Sequence, residues 1–235
     1  MLRYFCFLAV ILGARSASAP FIKPCQTTDN ACVVSSAQAA VPFIAPGIPE
    51  LGVKSLDPML LEEVRSDQGG LHLLFKNTVL TGMKGCSVDA VKMKNNKQTV
   101  TIRCSVMLKG DYTLSGQLLV LPVQGEGPYT IHIRDIVIKA FTEIETVPGA
   151  DGKPHWNIAK WRHTFNVKTS TVFDFENLFN GNQILATPVA EFMNSNWRDV
   201  MQEVAGPIVH AIVSNVVDGV QALYKAVPVE ELIVQ

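Results

Sequence analysis

The sequence is poor in charge. Lys, Arg, Asp and Glu make up 17% of 235 residues, under the usual quarter, and they leave a net charge of -1. A chain so near neutrality has no electrostatic footprint for nucleic acid or an anionic membrane surface. Past the N-terminus no run approaches about 18 uninterrupted apolar residues, so no integral membrane segment is expected. There is no Gly-x-Ser-x-Gly elbow for a hydrolase. Gly125-Glu126-Gly127-Pro128 lacks the spaced glycines, lysine and following helix of a phosphate loop. The five histidines, His72, His132, His155, His163 and His210, show no His-x3-His spacing, and no Cys-x2-Cys occurs, so no metal site is expected. Glu143 and Glu145 stand two apart and read as one solvated strand face rather than an acid/base pair. No cofactor and no enzymatic step is expected. Asn-x-Ser/Thr acceptors are absent, and no cysteine follows Cys104.

Apolar residues, by contrast, reach 48%. Low charge with high apolar content implies much surface to hide, in a core or a cavity. The N-terminus reads as a processing segment. Arg3 precedes an apolar run over residues 4–12, and Ser16-Ala17-Ser18-Ala19 offers small residues for cleavage. Residues 1–18 are therefore expected to be a signal peptide, with the cut between 16 and 19, and the mature chain to be secreted. Cys6 leaves with that segment, and four cysteines remain for an oxidising compartment. A bridge between Cys25 and Cys32 closes a small loop and is worth roughly 2.5 kcal/mol. Cys86 and Cys104 lie nearly equidistant from Asn95-Asn96, a good hairpin turn. That symmetry places them within disulfide reach; two buried thiols are the alternative.

The chain then reads as small helices, strands and one long helix. Residues 33–41 suit a helix limited by Pro42 and Pro46. Residues 57–64 suit a short helical turn or a docking segment. From Leu71 the apolar period becomes two. Strands are predicted over 71–80, 88–94, 98–108 and 112–123, with a turn at Gly125-Pro128. Val100, Ile102, Cys104, Val106 and Leu108 share one face. Residues 129–147 change phase between Ile133 and Ile136, and the next arm changes phase between Ile158 and Trp161. Two slips in facing arms predict bulges and a strongly curved sheet. A C-terminal piece, 229–234, is expected to return to that sheet.

Residues 187–225 read as one helix of about 38 residues, roughly 57 Å long. Thr187-Pro188 is read as its start and Val227-Pro228 as its stop. Up to Gly206-Pro207 it is amphipathic; beyond, only a narrow polar stripe remains. The first half is expected near an opening or surface, and the second half must be sheathed.

Several stretches carry a family resemblance: Gly47-Ile-Pro-Glu-Leu-Gly-Val-Lys-Ser-Leu-Asp-Pro-Met59, Phe75-Lys-Asn-Thr-Val-Leu-Thr-Gly82, Tyr112-Thr-Leu-Ser-Gly-Gln-Leu-Leu119, Gly125-Glu-Gly-Pro-Tyr129, Asn177-Leu-Phe-Asn-Gly181 and Phe192-Met-Asn-Ser-Asn-Trp197. In this order, with the early cysteine pair, the chain resembles the takeout and juvenile-hormone-binding protein family of insects. The match spans the mature chain and is closer to the takeout-like branch. It implies a single domain over 19–235 of the tubular lipid-binding kind: an α+β fold with a highly curved antiparallel sheet around one long C-terminal helix. It also implies a hydrophobic tunnel for one extended apolar ligand, and a secreted carrier linked to circadian, feeding or chemosensory physiology. The chain departs from the hormone carriers in two places. It lacks their late disulfide, and no tyrosine falls between Ala140 and Glu145, where some of them bond the hormone's epoxide.

For tunnel lining, the helix offers Phe192, Met193, Val200, Met201, Val204, Ile208 and Ile212. The sheet offers Phe141, Trp156, Trp161, Phe165 and Phe173. Apolar periodicity reports burial first, so core packing is the competing reading of each. Tyr129 and Tyr224 are possible polar handles for a ligand. The expected partner is a small lipophilic molecule, a juvenile-hormone-like terpenoid, a fatty acid or another apolar signal, bound by a monomer. The alternative is a regulatory protein that docks on a receptor, its cavity incidental. A lipid enzyme would need a nucleophile and base converging at a tunnel mouth.

Overall fold

The structure, a computed structural model, describes residues 18–234. The expected signal segment and Cys6 lie outside these residues, apart from Ser18.

β1 (Cys25–Gln26) precedes helix α1 (Asn30–Ile44). The Asp29 carboxylate accepts from the Cys32 N–H at 3.0 Å and caps α1. The helix runs past Pro42, contrary to expectation. The missing proline donor falls near the helix end, and the flanking Ala40 and Ala45 are buried.

Six long strands follow: β2 (Met59–Gln68), β3 (Leu71–Thr81), β4 (Ser87–Lys94), β5 (Lys97–Leu118), β6 (Leu121–Pro148) and β7 (Pro154–Phe175). They form one antiparallel sheet in the order β2-β3-β5-β6-β7, with β4 paired to β5. The segment expected to be a helical turn or docking piece is β2 instead. Met59, Leu61 and Val64 are buried while Leu60, Glu62, Glu63 and Arg65 are exposed, so three apolar residues find the sheet's inner face. The strand expected over 112–123 is shared between β5 and β6, which turn at Leu119, φ 54°. That turn has no Gly, Asn or Pro to announce it. The glycine-rich segment expected to turn lies within β6, where Gly125 pairs with Leu114. A Cβ on Gly125 would stand 2.7 Å from the Tyr112 hydroxyl, so glycine serves close packing there, not a turn.

β5 changes neighbours along its length. Residues 97–103 pair with β4, and residues 107–116 pair with β3. At the changeover the register shifts between Cys104 and Val106, and in β6 between Arg134 and Ile136. The Asp135 N–H donates to Ser105 Oγ at 3.1 Å, and Thr169 Oγ1 of β7 donates to the Asp135 carboxylate. The bulges thus form a row across three strands, which bends the sheet along a line. The second predicted slip appears as a shift between Glu143 and Ile144 of β6, opposite Lys160 and Ile158.

Two helices replace the single one expected: α2 (Gln183–Ser195) and α3 (Trp197–Ala226). α2 begins earlier than Thr187. The Asn182 side chain accepts from the Ile184 N–H at 3.1 Å and caps it, and Pro188 lies inside. The break is at Asn196, φ -109° and ψ 30°, where none was expected. Asn196 Nδ2 donates to the Phe192 carbonyl at 2.9 Å, a local bond that competes with helix continuation. α3 passes through Pro207 unbroken, held by buried Val204, Ala205, Ile208 and Val209. By length and composition α3 is apolar enough to cross a membrane. In this fold its apolar residues are buried against the sheet or face α1 across a cavity.

α4 (Val229–Leu232) leads to β8 (Ile233–Val234). β8 does not join the main sheet. It pairs in parallel with β1, Cys25 opposite Ile233. The four cysteines of the described residues form two disulfides, Cys25–Cys32 and Cys86–Cys104.

Candidate ligand-binding site

A cavity of about 300 Å³ lies beside the second half of α3. Its size is at the lower end for small-molecule sites. Each wall follows from a local sequence period. On α3, Ile212, Val213, Val216, Val217 and Val220 recur at helical spacing. On α1, Val33, Ala37, Ala40, Val41 and Ile44 form the facing stripe. The sheet contributes alternate residues: Val100 and Ile102 from β5, Ile138 and Ala140 from β6, Trp156 and Ile158 from β7. β1 and β8 bring Cys25 and Ile233 to the wall, so the first and last strands of the described residues help enclose it.

α1 is fastened over this space. Gln38 Nε2 donates to the Cys86 carbonyl at 3.2 Å, and its Oε1 accepts from the Val88 N–H at 2.7 Å. Ser36 Oγ accepts from the Lys23 N–H at 2.9 Å and donates to the Lys23 carbonyl at 2.8 Å. The two disulfides stand where these bonds start. One closes the approach to α1, and the other ties Cys86 to β5.

Lys23 and Ser36 bring polar atoms to the wall near α1, and a polar cluster interrupts it on the sheet side. Tyr224 Oη donates to Gln98 Oε1 at 3.2 Å, and Thr142 Oγ1 donates to the same oxygen at 3.4 Å. All three residues are buried and line the cavity. Burial raises the Tyr224 pKa, with the Gln98 hydrogen bond opposing it. The Trp156 indole packs edge-on against the Tyr224 ring, centroids 5.2 Å apart. Below them buried His155 reaches the Tyr224 carbonyl at 3.3 Å and the Asp151 carboxylate at 3.1 Å. The Lys153 N–H, first, and then His155 hold the Asp151 carboxyl below its usual pKa.

Of the twelve tunnel candidates singled out in the sequence, Ile212 and Trp156 line this cavity, as does Tyr224, read there as a polar handle. The other ten tunnel candidates stand elsewhere. Met193, Val200, Met201, Val204 and Ile208 are buried between helices and sheet, and Phe173 is buried in the same core. Phe192 is half-buried on α2. Phe141 points to the outer sheet face, since its neighbours Ala140 and Thr142 point inward. There the Arg162 guanidinium lies 4.0 Å from its ring centre. Trp161 and Phe165 are half-buried at the α3–β7 seam, where Trp161 stacks on His210 at 5.0 Å. In that seam burial, and secondarily His210, lower the His163 pKa. The α1 stripe and the Gln98–Thr142 pair escaped sequence reasoning. The alternation that set Val100 and Ile102 on one face also placed Gln98 there, and was the signal for it. Tyr129 sits in the main core, its hydroxyl 2.6 Å from Thr78 Oγ1. Among the described residues no three His, Cys, Asp or Glu side chains come together as metal ligands.

Comparison with known proteins agrees with this geometry. Residues 4–234 match the family described as Haemolymph juvenile hormone binding protein. The chain is 26% identical over 226 residues to circadian clock-controlled protein daywake of Drosophila melanogaster, covering 89% of this chain and 86% of that one. It is 29% identical over 84 residues to the juvenile hormone-binding protein of Manduca sexta, 34% of this chain and 37% of the other. The crystal structure of Epiphyas postvittana Takeout 1 superposes with a TM-score of 0.87 at 31% identity, covering 90% of this chain and 99% of that one. The chain therefore belongs to the takeout and haemolymph juvenile hormone binding protein family, whose members are binding proteins and not enzymes.

Proposed function

We propose that this protein is a secreted carrier that holds one small lipophilic ligand in the cavity between α1, the curved sheet and the second half of α3. The cavity of about 300 Å³, apolar but for the Gln98–Thr142–Tyr224 cluster and for Lys23 and Ser36 near α1, carries the reading. Removing apolar surface from water supplies about 25 cal/mol per Å², and no covalent step is involved. The contacts are the cavity-facing residues, Ile212 and Trp156 among them. The buried stripe from Val200 to Ile208 supports them as core.

The ligand class is a juvenile-hormone-like terpenoid, a fatty acyl chain or a similar apolar signal. The kinship with a juvenile hormone-binding protein supports the terpenoid, and the kinship with a clock-controlled protein supports a role in timed physiology. Two disulfides and the N-terminal apolar run support secretion.

The test is displacement of an apolar naphthylamine probe. The expected result is bright probe fluorescence with the pure protein, quenched stoichiometrically by terpenoid or acyl competitors. A protein that neither brightens the probe nor retains these competitors in native mass spectrometry contradicts the reading.

A further inference from the structure

The Gln98 side chain is the polar feature that a purely hydrophobic container does not need. Alternation along β5 sets Gln98 on the same face as Val100 and Ile102, looking into the cavity. The residue is 8% exposed, as are Thr142 and Tyr224. Both hydroxyls donate to its Oε1, at 3.4 Å and 3.2 Å. The structure sets the amide with its Oε1 towards these two hydroxyls. In this orientation its Nε2, with two N–H groups, has no side-chain or backbone acceptor among the described residues, and the residue lines the cavity. A ligand that fills the cavity shuts water away from this donor, which is unfavourable unless the ligand supplies an acceptor in its place.

Resting on the carrier reading, we propose that the Gln98 amide, held by Tyr224 and Thr142, is a ligand anchor that donates a hydrogen bond to a neutral acceptor oxygen. The ligand is then an apolar chain that carries an ester, ketone or aldehyde carbonyl. None of the three anchor residues is charged, and a carboxylate there would be buried without a counter-ion. The charged side chain in the cavity lining, Lys23, is exposed to solvent. The anchor also gives the ligand a direction, its carbonyl end at the β5–β6 wall beside Tyr224.

The experiment compares methyl laurate with tetradecane, the alkane of equal chain length, as competitors of the same probe. With the wild-type protein the ester binds about fivefold more tightly than the alkane, the worth of one net hydrogen bond. In Gln98→Met, of similar length but without donors, the preference falls to near one. In Tyr224→Phe, where the amide loses one of its two positioning bonds, it falls part of the way. Equal affinity for ester and alkane in the wild type overturns the anchor and leaves the carrier reading standing. So does an ester preference that survives Gln98→Met. Failure of both ligands to bind the wild type overturns the carrier reading itself. The wild-type comparison decides even where a variant does not fold.

Discussion

The Tyr224 hydroxyl donates to Gln98 Oε1 across 3.2 Å, joining residues 126 apart in sequence. This bond ties the C-terminal turn of α3 to the first residues of β5 in the wall of the cavity. Tyr224→Phe removes it and keeps the ring packing against Trp156. Gln98 Oε1 still accepts from Thr142. The expected loss is about 1 kcal/mol of unfolding free energy. Urea denaturation measures it; an unchanged midpoint would show the bond to be dispensable.

A second prediction concerns the bend of the sheet. Asp135 has φ 54°, in the left-handed region, where Asp and Asn are tolerated better than most residues. Its carboxylate also accepts from Thr169 Oγ1. Asp135→Ala loses the bond and keeps the strained backbone, at about 2 kcal/mol. Asp135→Asn keeps an acceptor and costs under about 1 kcal/mol. Equal losses in the two variants would contradict this account of the bulge row.

The two disulfides close loops of different length, with sequence separations of 7 and 18. Loop entropy assigns them about 2.5 and about 3 kcal/mol. Together they raise the melting temperature by about 10–20 °C in a chain this size. Differential scanning calorimetry with and without reductant reads this directly. An unchanged melting temperature after verified reduction contradicts a stabilising role for both bridges.

Alkaline pH should unfold the protein through its tyrosines. Burial pushes Tyr112 and Tyr129 from 10.0 up to about 12. For Tyr129, Thr78 opposes the shift and Asp111 adds to it. A folded pKa above the unfolded one means that the folded state prefers the neutral phenol. The stabilisation is therefore complete below the unfolded value of 10.0 and is lost as pH rises towards about 12. Phenolate absorbance and loss of circular dichroism should rise together in that window. Phenolate signal from these buried rings near their ordinary value, with the fold intact, would contradict it.

Much of the fold was legible because its signals are periodic. Slips near Asp135 and Ala159 could be read as phase changes, and Asn95-Asn96 marked its hairpin. The turn at Leu119 was hidden because its residues have no turn preference, whereas Gly125 and Gly127 looked like a turn and serve close packing. The helix break at Asn196 was not legible, because the apolar period runs on from Val189 through Trp197 to Val204 and a lone Asn is a weak stop signal; Pro207 leaves α3 unbroken, as a single lost donor inside a well-buried helix is tolerated. The site was less legible. Periodicity reports that Met201 and Ile208 are buried, not whether sheet or empty space faces them. Both disulfides were legible from cysteine spacing, but the Gln38 clamp that fastens α1 to the Cys86–Val88 segment was not, and no local pattern shows that α1 stands off α3 across a cavity.

The central claim is that an apolar ligand occupies the space beside the second half of α3. Ala140→Trp, on β6 opposite Val100, places an indole into that space from a strand position that favours aromatics. The decisive measurement is probe affinity of Ala140→Trp against the wild type, with Met201→Leu in the distant core as control. The account predicts at least about a tenfold loss for Ala140→Trp, equal to about 1.4 kcal/mol, and wild-type affinity for Met201→Leu. Wild-type affinity in a folded Ala140→Trp protein would contradict it.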